Sequence, residues 1–190
     1  MDETVRIVTL DGPSAWAAIE SLTEVLIDCV ERGASVSFMS PLTQERAEAF
    51  WEDVAEGVAR GDRVLLAAEA GGEIVGTVQV VFAGPENQPH RADIAKMLVR
   101  GDQRRRGLGE ALMRAAEGAA RAAGKTLLVL DTVTGGDGDR LYERLGWTRV
   151  GVIPDYARFP DGRPCDTTLF FRTLDKKTSG PVDPRTDRTI

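Results

Sequence analysis

The spacing of apolar residues changes along this chain, and each change marks a different kind of element. Val5-Arg6-Ile7-Val8 alternates weakly, as a first strand would. After the turn signal Asp11-Gly12-Pro13-Ser14, Trp16, Ile19, Leu22, Leu26 and Val30 recur at steps of three and four. That spacing predicts one helix face, stopped by Gly33. Ala34 to Met39 is an apolar connector, and Ser40 and Thr43 are two candidate caps for a second helix over Gln44 to Ala59. Its buried side would carry Phe50, Trp51, Val54 and Val58, with Gly61 beyond its end.

Sheet patterns follow. Val64 to Glu69 and the valine-rich Ile74 to Phe82, joined through Gly71-Gly72, predict a hairpin. A turn-rich link, Gly84 to His90, leads to Ile94 to Val99, a third central strand. The helical period returns from about Leu108 to Ala123, with Leu108, Leu112, Ala115, Ala116 and Ala119 on a narrow apolar face. Leu127 to Leu130 completes a strand, helix, strand unit, for which a right-handed crossover is expected. A short helix over Asp139 to Leu145 precedes a final antiparallel pair. Its strands are Arg149 to Ile153 and Thr167 to Thr173, separated by Pro154 to Asp166 with its Asp161-Gly162 turn. The pattern predicts an α/β fold, a mixed sheet with helices on its faces.

The chain has 190 residues, 42% of them hydrophobic and 6% aromatic, which fits a single domain. We place that domain at residues 1 to 174, because Asp175 to Ile190 offers little to bury and reads as a flexible tail. No apolar run approaches the roughly 20 residues needed to cross a bilayer, and the N-terminus lacks the order of a secretory signal, so a cytoplasmic setting without membrane contact is expected. Cys29 and Cys165 have no metal-ligand spacing, and one His excludes a His-rich centre, so no metal is expected. A formal charge of −6 argues against a nucleic-acid partner.

The dense basic cluster, Arg100 with Arg104, Arg105 and Arg106, runs into Gly107-Leu108-Gly109 at the start of a predicted helix. The first amides of a helix lack internal partners, and its dipole favours negative charge there. Glycines let a diphosphate approach the backbone, and arginines add charge-assisted contacts. The loop lacks the Gly-Lys-Ser/Thr ending of a nucleotide-hydrolysing loop and the third glycine of a dinucleotide fingerprint. A small anionic ligand carrying a diphosphate fits, and a plain structural turn is the alternative.

Arg104-Arg105-Arg106-Gly107-Leu108-Gly109 resembles the Gln/Arg-x-x-Gly-x-Gly/Ala cofactor loop of the GCN5-related N-acetyltransferase (GNAT) superfamily. Met97-Leu98-Val99 resembles the strand edge before it, and Leu141-Tyr142-Glu143-Arg144-Leu145-Gly146-Trp147 the later tyrosine motif. The resemblance covers about residues 3 to 174. It implies a mainly antiparallel sheet whose fourth and fifth strands splay apart around the pantetheine arm of acetyl-CoA. It further implies backbone contacts to that arm from Leu98 and Val99, and a pyrophosphate surrounded by Arg104, Arg105, Arg106, Gly107, Leu108, Gly109 and Glu110. The family's loop Asn is replaced near Gly135, and Gly138 stands where Ala is common. Further pieces resemble the branch of the family that acetylates the free amine of a β-lactam amino-acid toxin. They are Gly33 to Met39, Arg91-Ala92-Asp93, Lys96 to Val99, Leu130-Asp131-Thr132, Thr148 to Gly151 and Pro160 to Arg163.

Transfer of an acyl group to nitrogen needs a neutral amine and a proton for the departing thiolate. By the resemblance Tyr142 is the proton donor and also meets the cofactor; the bland reading is a ring packed at a rim. Asp131 could orient the amine and take its proton, or cap its own loop. Asp93 could fill the same role or bind an ammonium. Arg91 could clamp a substrate carboxylate or pair with Asp93. Phe38, Met39 and Gln79 are candidates for the acceptor pocket, the first two also for ordinary core. Lys96 carries no assignment, since a strand lysine can simply reach solvent.

The leading expectation is acetyl-CoA-dependent N-acetylation of a small amine, such as a β-lactam amino-acid toxin or related antibiotic, with a resistance role. The alternatives are acetylation of a peptide, protein or polyamine, and a non-catalytic acyl-CoA-binding sensor. Edge strands and exposed helix faces leave a homodimer open.

Overall fold

In the computed structural model, which describes residues 5–174, seven strands form one sheet. They are β1 (Arg6–Leu10), β2 (Arg63–Ala70), β3 (Glu73–Phe82), β4 (Arg91–Val99), β5 (Leu127–Val133), β6 (Thr148–Arg158) and β7 (Pro164–Thr173), in the spatial order β1-β2-β3-β4-β5-β7-β6. Neighbours are antiparallel except β4 and β5, which run parallel. The helices are α1 (Gly12–Ala17), α2 (Ile19–Glu31), α3 (Gln44–Arg60), α4 (Leu108–Ala122) and α5 (Asp137–Arg144). The expected tail lies outside the described residues.

Both faces of the sheet are covered, which is why β2 and β3 read as apolar runs with little alternation. Along β2, Leu65 and Ala67 join Leu22, Leu26, Trp51 and Val54 of α2 and α3 in one core. Leu66 and Ala68 point the other way, into a core with Leu112, Met113 and Ala116 of α4. The strand's period of two thus feeds two separate cores.

The first predicted helix is in fact two. Asp11 caps α1 by accepting from the Ser14 amide at 2.9 Å, and the chain turns at Ala18 before α2 begins. The break takes Trp16 off the buried face, leaving it 45% exposed. Of the two candidate caps for α3, Thr43 does the work: its side chain accepts from the Arg46 amide. Gly61, at φ +79°, ends that helix in the left-handed conformation. β4 begins at Arg91 rather than Ile94, and β6 continues through Pro154 to Arg158. An edge strand tolerates that proline because one side of it needs no ladder bonds.

The feature that positions the site is an interrupted strand pair. β4 and β5 pair only over Arg91 to Asp93 with Leu127 to Val129, although both strands run on. On the other edge of β4 the register against β3 shifts between Thr77 and Gln79, and Lys96 at that shift adopts φ +48°. An extra residue there bends β4 and leaves β5 to follow β7. The opening that results is the expected splay.

Candidate active site

The splay opens into a cleft of about 490 Å³ between the end of β4, the start of α4, the β5–α5 loop and the segment after α2. Leu98, Val99, Arg104, Arg105, Gly107, Leu108, Gly109, Glu110 and Tyr142 all line it. Arg106 does not; it turns back to Gln103.

The start of α4 is built to present amides. Gly107 is its N-cap at φ +81°, and no side chain caps the helix. The first intrahelical bond back to Gly107 comes from Ala111, so the N–H groups of Leu108, Gly109 and Glu110 are left to the cleft. The two glycines serve different ends. Gly107 is needed for its backbone angle, since a Cβ there would meet nothing within 4 Å. At Gly109 a Cβ would lie 3.1 Å from Leu141 Cδ2, so this glycine lets α4 approach α5. The dihedral reason for a glycine thus applies at Gly107, and the close approach of α5 is a further reason at Gly109.

The arginines also divide their work. Arg104 donates from Nε to the Val99 carbonyl at 3.1 Å and reaches Cys29 Sγ at 3.8 Å, tying the loop to β4 and α2. Burial pushes the Cys29 thiol pKa up, against the pull of Arg104. Arg105, mostly exposed and itself at φ +63°, stands 3.5 Å from Asp137. The two strand residues differ too. A Cβ on Gly76 would come within 2.9 Å of the Leu98 carbonyl oxygen, so that carbonyl faces β3. Val99 turns its carbonyl outward, where it accepts from Arg104 and Cys29.

Tyr142 is carried by α5 into the floor of the cleft. It is 5% exposed, and its ring packs 6.0 Å from Trp147 and 5.9 Å from Phe170. Among the described residues no group hydrogen-bonds its hydroxyl. Burial and, secondarily, the Asp131 charge raise its pKa, so the phenol keeps its proton. α5 sits close enough to β5 that a Cβ on Gly138 would meet Thr132 Oγ1 at 2.6 Å and the Tyr142 ring at 3.4 Å. The loop before α5 is fixed by a network invisible to sequence reading. Buried Asp139 accepts from the Gly135 amide at 2.6 Å and from Arg149 at 3.1 Å, and Arg149 also donates to Thr168. Acidic residues in the first turn of α5, Asp137 and Asp139, were the available signal.

The acceptor candidates do not line this cleft. Asp131 and Lys96 stand on opposite sides of the splay; burial raises the carboxyl pKa of the first and lowers the amine pKa of the second, and each charge partly counters the other's shift. Asp93 holds Arg91 at 2.5 Å, and Gln88 takes the same guanidinium at 2.7 Å. Gln79 is buried against Arg63, which donates to it at 3.0 Å. Phe38 is half-buried, edge-on to Phe50 at 5.4 Å, while Met39 is 44% exposed.

Among the described residues the mixed sheet splays at its parallel pair, and the opening brings together a helix start without a side-chain cap and a buried tyrosine. The model of the acetyltransferase (GNAT) family matches residues 24–147, and the chain belongs to that family. It is an acetyltransferase. Among solved structures, an N-acetyltransferase from Staphylococcus aureus Mu50 is similar with TM-score 0.75 at 15% identity, over 90% of this chain and 99% of that one. A ribosomal-protein-alanine N-acetyltransferase from Brucella melitensis is similar with TM-score 0.72 at 20% identity, over 90% and 99%. A phosphinothricin acetyltransferase from Sinorhizobium meliloti, in complex with acetyl-CoA, is similar with TM-score 0.73 at 18% identity, over 95% and 93%. At such identities the likeness concerns the fold.

Proposed function

We propose that this protein N-acetylates a small, amino-acid-like amine, with residues 1–174 as the catalytic domain. The observation that carries the reading is the hydroxyl of the buried Tyr142, without a hydrogen-bond partner among the described residues, in the same cleft as the uncapped start of α4. Acetyl-CoA, when bound, supplies the activated acyl group and a thiolate leaving group.

The amides of Leu108, Gly109 and Glu110 hold the pyrophosphate by the alignment of their dipoles, with Arg105 adding charge from the rim. Val99 offers its outward backbone to the pantetheine arm. Tyr142 keeps its proton until a thiolate needs it, and burial makes it a poor anion at every other moment. Asp131, whose raised carboxyl pKa brings it nearer that of an amine, orients the acceptor and takes its proton. The tabtoxin resistance acetyltransferase, which the sequence pieces named above resemble, acts on an amine of this kind.

The test is incubation with acetyl-CoA and a panel of amino acids, toxins, peptides and polyamines, read by the mass gain of one acetyl group. Acetylation of amino-acid-like amines supports the proposal; acetylation confined to peptides or polyamines overturns the acceptor class, and none at all overturns the reaction.

A further inference from the structure

The acceptor side of the splay holds two opposite charges that lack ion-pair partners among the described residues. Lys96 occupies the left-handed bulge of β4 and is half-buried. Its Nζ donates to the Ser37 hydroxyl at 3.2 Å and lies 5.5 Å from the centre of the Phe50 ring. Among the described residues no carboxylate forms an ion pair with it. Asp131, across the opening on β5, likewise has no cationic partner within ion-pair distance among them. The two charges feel each other across the gap without touching. Arg91 stands in contrast, because Asp93 and Gln88 already occupy its fork.

We propose that Lys96 is the carboxylate anchor of the acceptor site, so that the acceptor is a zwitterion whose carboxylate meets Lys96 while its amine meets Asp131. The inference rests on the acetyl-transfer reading above and names its substrate class more closely. A cation on β4 and an anion across the opening on β5 offer opposite charges to the two ends of an amino acid, and the partial desolvation of both groups strengthens each attraction relative to bulk water. A polyamine would bring a second cation against Lys96, and a peptide N-terminus has no carboxylate near its amine. Either would leave the lysine desolvated and unpaired, a cost the zwitterion avoids. The edge-on pair of Phe38 and Phe50 beside the ammonium supplies an apolar wall for the acceptor's side chain. Arg91, fixed to Asp93, stays a structural cation on this account.

The experiment compares an accepted amino acid with its carboxamide, as a ratio of kcat/KM, in the wild type, Lys96→Met and Lys96→Arg. All three are first checked for native circular dichroism and acetyl-CoA binding. One charge-assisted contact predicts a wild-type preference for the acid of about 10- to 100-fold, mainly in KM. Lys96→Met should bring the ratio close to one, and Lys96→Arg should restore part of it. A wild-type ratio near one, or a preference unchanged in Lys96→Met, overturns the anchor while leaving acetyl transfer intact. Absence of acetylation with every amine overturns both.

Discussion

Replacing Gly107 by alanine isolates the backbone geometry on which the anion site depends. Gly107 caps α4 at φ +81° and ψ 0°, and its missing Cβ would touch nothing within 4 Å, so substitution introduces strain without a clash. Holding an L side chain in the left-handed region costs about 1–2 kcal/mol. That cost can fall in either of two places. If the turn keeps its shape, the free protein loses the full amount, which for a domain of this size lowers Tm by about 2–8 °C. If the turn relaxes, stability is preserved, and acetyl-CoA must restore the shape on binding, raising Kd by about 5- to 30-fold. The losses in folding and binding should therefore sum to about 1–2 kcal/mol, and Gly107→Asn, whose side chain tolerates this conformation, should lose less. Thermal unfolding of the free protein together with calorimetric titration of acetyl-CoA measures both parts. Unchanged Tm and unchanged Kd in Gly107→Ala would refute the claim that this position is glycine for its backbone angle.

Tyr142→Phe should retain acetyl-CoA affinity and lose about 100-fold or more in kcat, measured by thiol release; an unchanged kcat removes the phenol from proton transfer. Asp131→Asn should slow transfer while raising Tm at neutral pH. The folded state raises the Asp131 pKa, so its stabilising contribution is present below the ordinary carboxylate value and lost as pH rises through the folded value. The stability gain of the variant should shrink toward acid pH, and a gain that grows there would contradict the assigned burial. Glu117→Ala should destabilise by about 3–5 kcal/mol in urea unfolding, because buried Glu117 accepts from Trp147 Nε1 at 3.2 Å and pairs with Arg172 at 3.2 Å. A change below about 0.5 kcal/mol would show that the pair contributes nothing net.

The fold was legible where hydrophobic period and turn chemistry agree. The β2–β3 hairpin, α3 with Gly61 behind it and α4 on its apolar face were all set by local residues. The break at Ala18 was not, because the apolar spacing continues through it and only tertiary packing turns Trp16 outward. Glu117 escaped notice for the converse reason: a glutamate in a helix reads as solvent-facing until Trp147 and Arg172, distant in sequence, arrive beside it. At the proposed site, the start of α4 was readable because Gly107 and the apolar period after it are local in sequence. The acceptor side depends on strands brought together across the sheet, so sequence left Arg91 and Lys96 ambiguous. The ion pair to Asp93 and the bulge at Lys96 separate them.

The central claim is that exposed amides at the start of α4 receive the pyrophosphate of acetyl-CoA. Nitrogen-15 amide spectra recorded during a titration with CoA test it directly, residue by residue. The largest shifts should fall on Gly107, Leu108, Gly109 and Glu110, and they should weaken when the diphosphate is removed from the ligand. Shifts centred elsewhere, with these four amides unmoved at saturation, would contradict the account.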